Sequence, residues 1–283
     1  MANLFTVWEN DPVIVEFLGF QLRYYGLCWA LGIAAAMFVL RKVFEKEKLS
    51  TELLSSLFFY ILIGVFVGAR LGHCLFYTPL YYLSHPVEML LPVSKNEFGA
   101  YYFSGYSGLA SHGGAIGIVI TALIFAKRKK QNLWDVFDKL ALVAPLTGFF
   151  IRMGNFFNSE IIGKPTNFVF GIVFKSVDNA PRHPAQLYEA FSYLLIFIFL
   201  LYVYFRIKNK YKSGFTFGIT ILLIFFARFI IEYCKEVQEP FENHLKEILF
   251  VDMGQLLSLP FIIAGIIIIV LRNKISPNEK NKT

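Results

Sequence analysis

Charge is scarce in this sequence. Only 17% of its 283 residues are Asp, Glu, Lys or Arg, against about 25% in soluble domains. Apolar types make up 56%, with 32 Phe and 15 Tyr, and the mean hydropathy is +0.55. That balance excludes an ordinary soluble domain and implies a membrane protein. Cysteine is rare too. Cys28, Cys74 and Cys234 are too widely spaced for a disulfide framework or a thiolate metal site, and each is expected to be a small packing residue. The five histidines form no i, i+4 pair and no HExxH helix, so no metal is expected. GxSxG, P-loop and GxGxxG units are missing. So are internal repeats, which removes the inverted-repeat signature of many transporters. A cleavable signal peptide is not expected, because Glu9, Asp11 and Glu16 interrupt the N-terminal segment and no basic stretch leads it.

The charge that is present is organised. Net charge is +7. Four clusters of four basic residues hold 16 of the 27 Lys and Arg: Arg41, Lys42, Lys46 and Lys48; Lys127 to Lys130; Arg206, Lys208, Lys210 and Lys212; and Arg272, Lys274, Lys280 and Lys282. These patches lack interleaved aromatics and each abuts an apolar run, so nucleic acid is not expected as a partner. The positive-inside rule places all four in the cytoplasm. Seven apolar runs are expected to span the bilayer, at roughly 20–40, 53–77, 112–126, 135–155, 187–205, 215–234 and 252–271. The third is short for a span. The expectation is a single polytopic membrane domain over 1–283, all-α, with the N-terminus outside and 273–283 as a cytoplasmic tail. Segments 1–19, 78–111, 156–186 and 235–251 then lie outside. Gly64, Gly68 and Gly72 in the second run, and Gly113 and Gly117 in the third, are spaced by four. Such stripes let helices pack closely, and Gly113 and Gly114 could alternatively admit a lipid headgroup to the backbone.

Polar residues gather at the outer ends of the runs. The clearest stretch is "RMGNFFNSEIIGKPT", 152–166, at the end of an apolar segment. An Arg at a helix centre in lipid costs roughly 2.5–3.5 kcal/mol, so such groups normally face a wet, protein-lined cavity and mark function. Arg152, Asn155 and Ser159 are spaced to share one helix face. Arg228 and Glu232 are i, i+4: either an internal ion pair, or a pair whose spare N–H donors face a ligand. Two arginines from different helices at one depth make a bidentate clamp for phosphate. Arg70 is either a third clamp or a snorkelling residue. His112 heads a run, and an imidazole titrates near pH ~6.5, so it can accept a proton at neutral pH. His183, before Pro184, reads as helix-entry architecture. An arginine-lined anion site in a transporter is the alternative reading. A phosphatidyl-alcohol transferase is disfavoured, because its paired-Asp metal motif is missing.

"RMGNFFNSEIIG" resembles the signature of the prolipoprotein diacylglyceryl transferases. "DPVIVEFLGFQLRYYGLCWALG", "GARLGHCLFY", "SHGGAIG", "RHPAQLYEA", "ARFIIEYCKE" and "DMGQLLSLP" agree in order and spacing, so the resemblance covers about residues 11 to 272. It implies seven helices with outward-facing arm and head segments, here 78–111 and 156–186. It implies transfer of the diacylglyceryl group from phosphatidylglycerol to the lipobox cysteine of a prolipoprotein signal peptide, releasing glycerol 1-phosphate, in a bacterial cytoplasmic (inner) membrane. The family's essential positions match at Tyr25, His112, Arg152, Asn155, Glu160, Gly163, Arg228 and Glu232. His112, Arg152, Arg228 and Tyr25 are the expected catalytic set. Arg152, Asn155, Glu160, Gly163, Arg228 and Glu232 are the expected phosphatidylglycerol contacts. No cofactor is implied. Ile224 stands where many members carry Tyr, and Ser111 where a Phe is common.

Overall fold

A computed structural model describes residues 5–17, 20–91, 93–96, 98–103, 108–207, 210–236 and 252–273. The chain packs as two compact units, Met1–Leu40 with Phe137–Thr283, and Arg41–Val136. The described residues form α1 (Tyr24–Lys46), α2 (Thr51–Phe76), the short α3 (Pro79–Ser84) and α4 (Pro86–Leu90), and α5 (Ser111–Arg128). They continue as α6 (Leu133–Phe157), α7 (Ala185–Tyr202, extended by a π-helical turn, Val203–Ile207), α8 (Phe215–Glu232) and α9 (Met253–Arg272). Among the described residues, six helices are long and apolar enough to cross a membrane: α1, α2, α6, α7 with its π turn, α8 and α9. The expected third span, α5, is not one of them, because Ser111, His112, Lys127 and Arg128 make its two ends polar. The expected outer segment beyond Glu236, the tail beyond Asn273, and Lys208, Lys274, Lys280 and Lys282 lie outside the described residues.

Helix ends follow side-chain caps. Ser50 accepts from the Leu53 backbone N–H at 3.2 Å and starts α2. Asp252 and Gln255 form a reciprocal capping box at the start of α9. The α8 N-terminus is capped from α6: the carboxylate of Asp138, fully buried, accepts from the backbone N–H groups of Gly214 and Phe217, each at 2.8 Å. Short strands fill the connections: β1 (Thr6–Trp8), β2 (Val13–Phe17), β3 (Phe20–Arg23), β4 (Val93–Lys95), β5 (Tyr101–Phe103), β6 (Ile172–Phe174) and β7 (Pro181–Arg182). β1 pairs parallel with β6, and β6 antiparallel with β7; β2–β3 and β4–β5 are hairpins. The expected first span therefore loses its first four residues to β3, and Arg23 ends a strand and hydrogen-bonds Gln21.

In the unit Arg41–Val136, α2 lies along α5. The glycine stripes meet face to face: a Cβ on Gly117 would strike the Gly64 carbonyl oxygen, and one on Gly113 the Gly68 carbonyl. Gly113 and Gly114 are buried against α2. Their role is packing, and the headgroup alternative is dropped. Gly117→Val is expected to destabilise the protein by about 1–3 kcal/mol or more through overpacking, seen as a lower unfolding temperature in detergent. Arg70 is buried, and its guanidinium donates to the carbonyls of Glu88 (2.5 Å), Met89 (3.1 Å) and Gly108 (3.4 Å) and lies over the Tyr82 ring. It is therefore an anchor for α4, neither clamp nor snorkeller. The Tyr81 hydroxyl donates to Glu88 at 2.6 Å and holds that carboxyl below the usual range.

In the other unit, α7 packs on α8 and α8 on α9. The C-terminal end of α6 is seated by aromatics. Trp8 lies 4.4 Å from Phe156 between ring centroids, Tyr24 stacks on Phe157 at 4.7 Å, and Phe156, Ile162 and Phe174 form a buried cluster.

Candidate active site

α6 ends at Phe157, and the chain turns sharply beyond it, with Ser159 and Ile161 at φ 55°. Ser159 is thus off the helix, and the expected shared face stops at Asn155. Arg152 Nη1 donates to Asn155 Oδ1 at 3.2 Å. Asn155, itself buried, donates to Glu160 Oε2 at 3.1 Å, and Asn158 to Glu160 Oε1 at 2.8 Å. Gln186, at the start of α7, fixes the same turn by donating to the Glu160 carbonyl at 2.6 Å. The signature stretch therefore folds back as one chain, Arg152–Asn155–Glu160, with the Glu160 carboxylate on the exposed side.

The Arg152 guanidinium also meets α7. Its Nε lies 2.8 Å from Glu189 Oε2. This ion pair is made off the N–H axis, so Oε2 has no aligned donor. Glu189 is fully buried. Its other oxygen accepts from Lys235 Nζ at 3.0 Å, and the same ammonium reaches Glu232 Oε2 at 3.0 Å. Lys235 is 5% exposed. The expected Arg228–Glu232 pair is not formed. Glu232 turns to Lys235 and lies against Gly254 in the first turn of α9. Arg228, half-buried, makes no ion pair or hydrogen bond with a described residue. Buried Tyr193 lies within electrostatic range of both Arg152 and Arg228, and Tyr25 within range of Arg152. Gly154 gives Tyr25 its place: a Cβ there would sit 2.8 Å from the ring.

Gly163 joins this region through the backbone. It pairs as an isolated antiparallel bridge with Lys235, and its N–H donates to the His183 carbonyl at 2.8 Å. Beside it Arg182 donates to the Gly163 carbonyl at 3.2 Å, to Glu236 at 2.8 Å, and to Asp178. The Arg182 guanidinium keeps the Asp178 carboxyl below the ordinary range. Burial, with a smaller push from Lys164, lowers His183, which stays near the Tyr188 hydroxyl at 3.1 Å.

Seven of the eight expected site residues thus belong to one unit: Tyr25, Arg152, Asn155, Glu160, Gly163, Arg228 and Glu232. His112 belongs to the other, where it opens α5 exposed, beside the rings of Phe76 and Tyr77.

A family model described as prolipoprotein diacylglyceryl transferase matches residues 12–271. The chain belongs to the prolipoprotein diacylglyceryl transferase family. Curated relatives named phosphatidylglycerol–prolipoprotein diacylglyceryl transferase agree along nearly the whole length. That of Bacteroides fragilis is 45% identical over 92% of this chain and 92% of its own. That of Tolumonas auensis is 42% identical over 94% and 97%, and that of Chloroherpeton thalassium 37% over 99% and 98%. The protein is therefore an enzyme of lipoprotein biosynthesis and, by its six apolar helices, a multi-pass membrane protein.

Glu189 and Lys235 in this transferase were not picked out from sequence as site residues. Glu189 had a signal, as the lone carboxylate of an otherwise apolar helix. Lys235 had none, since a Lys just past a span end reads as interfacial. Chemically, the cluster sets three cations against two buried or half-buried carboxylates, with Glu160 at the rim. The guanidinium groups in this cluster suit an anion that can take bidentate contacts.

Proposed function

We propose that this chain transfers the sn-1,2-diacylglyceryl group from phosphatidylglycerol to the thiol of a prolipoprotein lipobox cysteine. Sulfur forms a bond to the glyceryl carbon, the carbon–oxygen bond to phosphate breaks, and glycerol 1-phosphate leaves. The single observation that carries this is that Arg152 and Arg228, from separate helices, both lie within electrostatic range of one buried tyrosine, Tyr193. The nucleophile comes with the substrate, which accounts for a sequence without a serine or cysteine nucleophile motif. Charge develops on phosphate oxygens as the bond breaks, and preorganised donors in a water-poor site stabilise it.

In this assignment Arg152 and Arg228 grip the phosphate. Asn155, Glu160, Gly163 and Glu232 hold the glycerol headgroup, and Tyr25 lines the reaction cavity. His112 takes the thiol proton. A free thiol is only a few per cent thiolate at pH 7, so a base accelerates attack. The proposed topology has α5 as a seventh span, the N-terminus outside, segments 78–111 and 156–186 as extracytoplasmic arm and head, and 273–283 in the cytoplasm. The membrane is the bacterial cytoplasmic (inner) membrane, with no nucleic-acid partner. The test is conversion of labelled phosphatidylglycerol and a lipobox peptide by the purified protein in lipid-supplemented detergent. Thioether-linked diacylglyceryl peptide and glycerol 1-phosphate are the expected products. Solute flux from liposomes without lipid transfer would instead favour an anion transporter.

A further inference from the structure

The sequence spacing pairs Glu232 with Arg228, one helical turn earlier, and the structure does not. Three observations explain the difference. Lys235 is inserted between two carboxylates, 3.0 Å from Glu189 Oε1 and 3.0 Å from Glu232 Oε2. Glu232 is held on its far side against Gly254, at the N-terminal turn of α9, where the helix dipole favours negative charge. Lys235 is fixed by its backbone and not only by its side chain. The segment 233–236 is stitched to 162–164 by the Gly163–Lys235 bridge, by the Lys164 N–H to the Cys234 carbonyl at 2.9 Å, by the Glu236 N–H to the Ile162 carbonyl at 3.4 Å, and by Lys164 Nζ to the Tyr233 carbonyl at 2.9 Å. That stitch requires a glycine at 163, because a Cβ there would lie 2.5 Å from the Cys234 carbonyl oxygen and 2.6 Å from His183.

We propose that Lys235 is a positioning residue: it draws Glu232 away from Arg228 and ties it to Glu189, so that the Arg228 guanidinium stays unpaired for the lipid phosphodiester. Beside its proposed place at the headgroup, Gly163 then also acts at one remove, by allowing the backbone bridge that places the ammonium. A lysine suits this task because its compact charge can contact one oxygen from each of two carboxylates without spanning them as a planar fork. Without the ammonium, Glu232 has a guanidinium one turn away on its own helix, a favoured i, i+4 spacing. Arg228 then meets the phosphate already neutralised. The same loss leaves buried Glu189 balanced by Arg152 alone, which pulls the second clamp inward.

This rests on the phosphatidylglycerol reading above. The experiment is a double-mutant cycle with Lys235→Met and Glu232→Gln, measured as kcat and KM for phosphatidylglycerol with a lipobox peptide. Lys235→Met is expected to raise KM by about tenfold or more, because the charge-assisted contact of Arg228 with the bound headgroup is weakened. In the Glu232→Gln background the same change is expected to cost less than about threefold, because residues acting through one another are not additive. Lys235→Arg keeps the charge and is expected to stay within about threefold of wild type in KM. If Lys235→Met does not purify folded, Lys235→Gln takes its place in the cycle. Additive losses, or a fall in kcat with KM unchanged, overturn the proposal. Wild-type protein that makes no thioether product overturns the phosphatidylglycerol reading itself, whereas normal wild-type turnover with an additive cycle overturns only the role of Lys235.

Discussion

Arg152→Ala is expected to lower diacylglyceryl transfer by about 10²–10³, the usual cost of deleting one preorganised donor to a developing anion. The side chain meets Glu189 at 2.8 Å and Asn155 at 3.2 Å, and it also engages the Tyr193 hydroxyl. The loss has two physical sources. The phosphate loses a bidentate partner, and fully buried Glu189 loses one of its two counter-ions. Removing one member of a buried pair typically costs about 3–5 kcal/mol of stability, so turnover must be read on protein shown to be folded. Arg152→Lys separates the two sources. It keeps a cation near Glu189 but forfeits the planar fork, and it is expected to restore thermal stability more fully than transfer. In cells depleted of their own enzyme, wild type is expected to support growth and Arg152→Ala not. Transfer within about threefold of wild type in folded Arg152→Ala, far short of the 10²-fold cost of a lost donor, would remove this residue from the clamp.

His112→Gln is expected to be the other large loss, about 10²-fold or more in kcat, within the range that positioned general bases contribute. The imidazole stands in the first turn of α5, exposed, beside the rings of Phe76 and Tyr77. An exposed ring without a structural hydrogen-bond partner among the described residues can be replaced by an amide without much cost to the fold. The discriminating readout is the pH–rate profile. With an imidazole base, activity rises with pH along an acid limb as the ring loses its proton. That limb is expected to vanish in the glutamine variant, leaving a slow rate that follows thiol ionisation alone. Should the variant turn over at nearly the wild-type rate with the same acid limb, the proton goes elsewhere, to Glu232 or to water.

Much of this protein is legible in one dimension. Long apolar runs separated by basic clusters dictate helices, because a segment in hydrocarbon must satisfy its own backbone hydrogen bonds. All six helices that meet the membrane criterion sit where such runs were read. The glycine stripes at spacing four likewise signalled close helix packing, and the structure shows the partners to be α2 and α5, since only a side chain of one hydrogen lets two backbones approach so closely. Local spacing also found the Arg152–Asn155 contact, which lies within one turn of one helix. The short strands escaped notice because two- to five-residue pairings between distant segments, such as β1 with β6, leave no periodic trace.

Chain order alone determined the helical class and the family, because burial in lipid and helical periodicity are local properties. It did not determine which acid answers which base. Glu232 has Arg228 one turn away, yet it meets Lys235, and Lys235 meets Glu189 from 46 residues along the chain. Which partner wins depends on desolvation and distance, and those are set only when α7, α8 and the stitched segment around Gly163 are packed together. The tertiary structure alone therefore decided that, among the described residues, Glu232 answers Lys235 and Arg228 pairs with no acid.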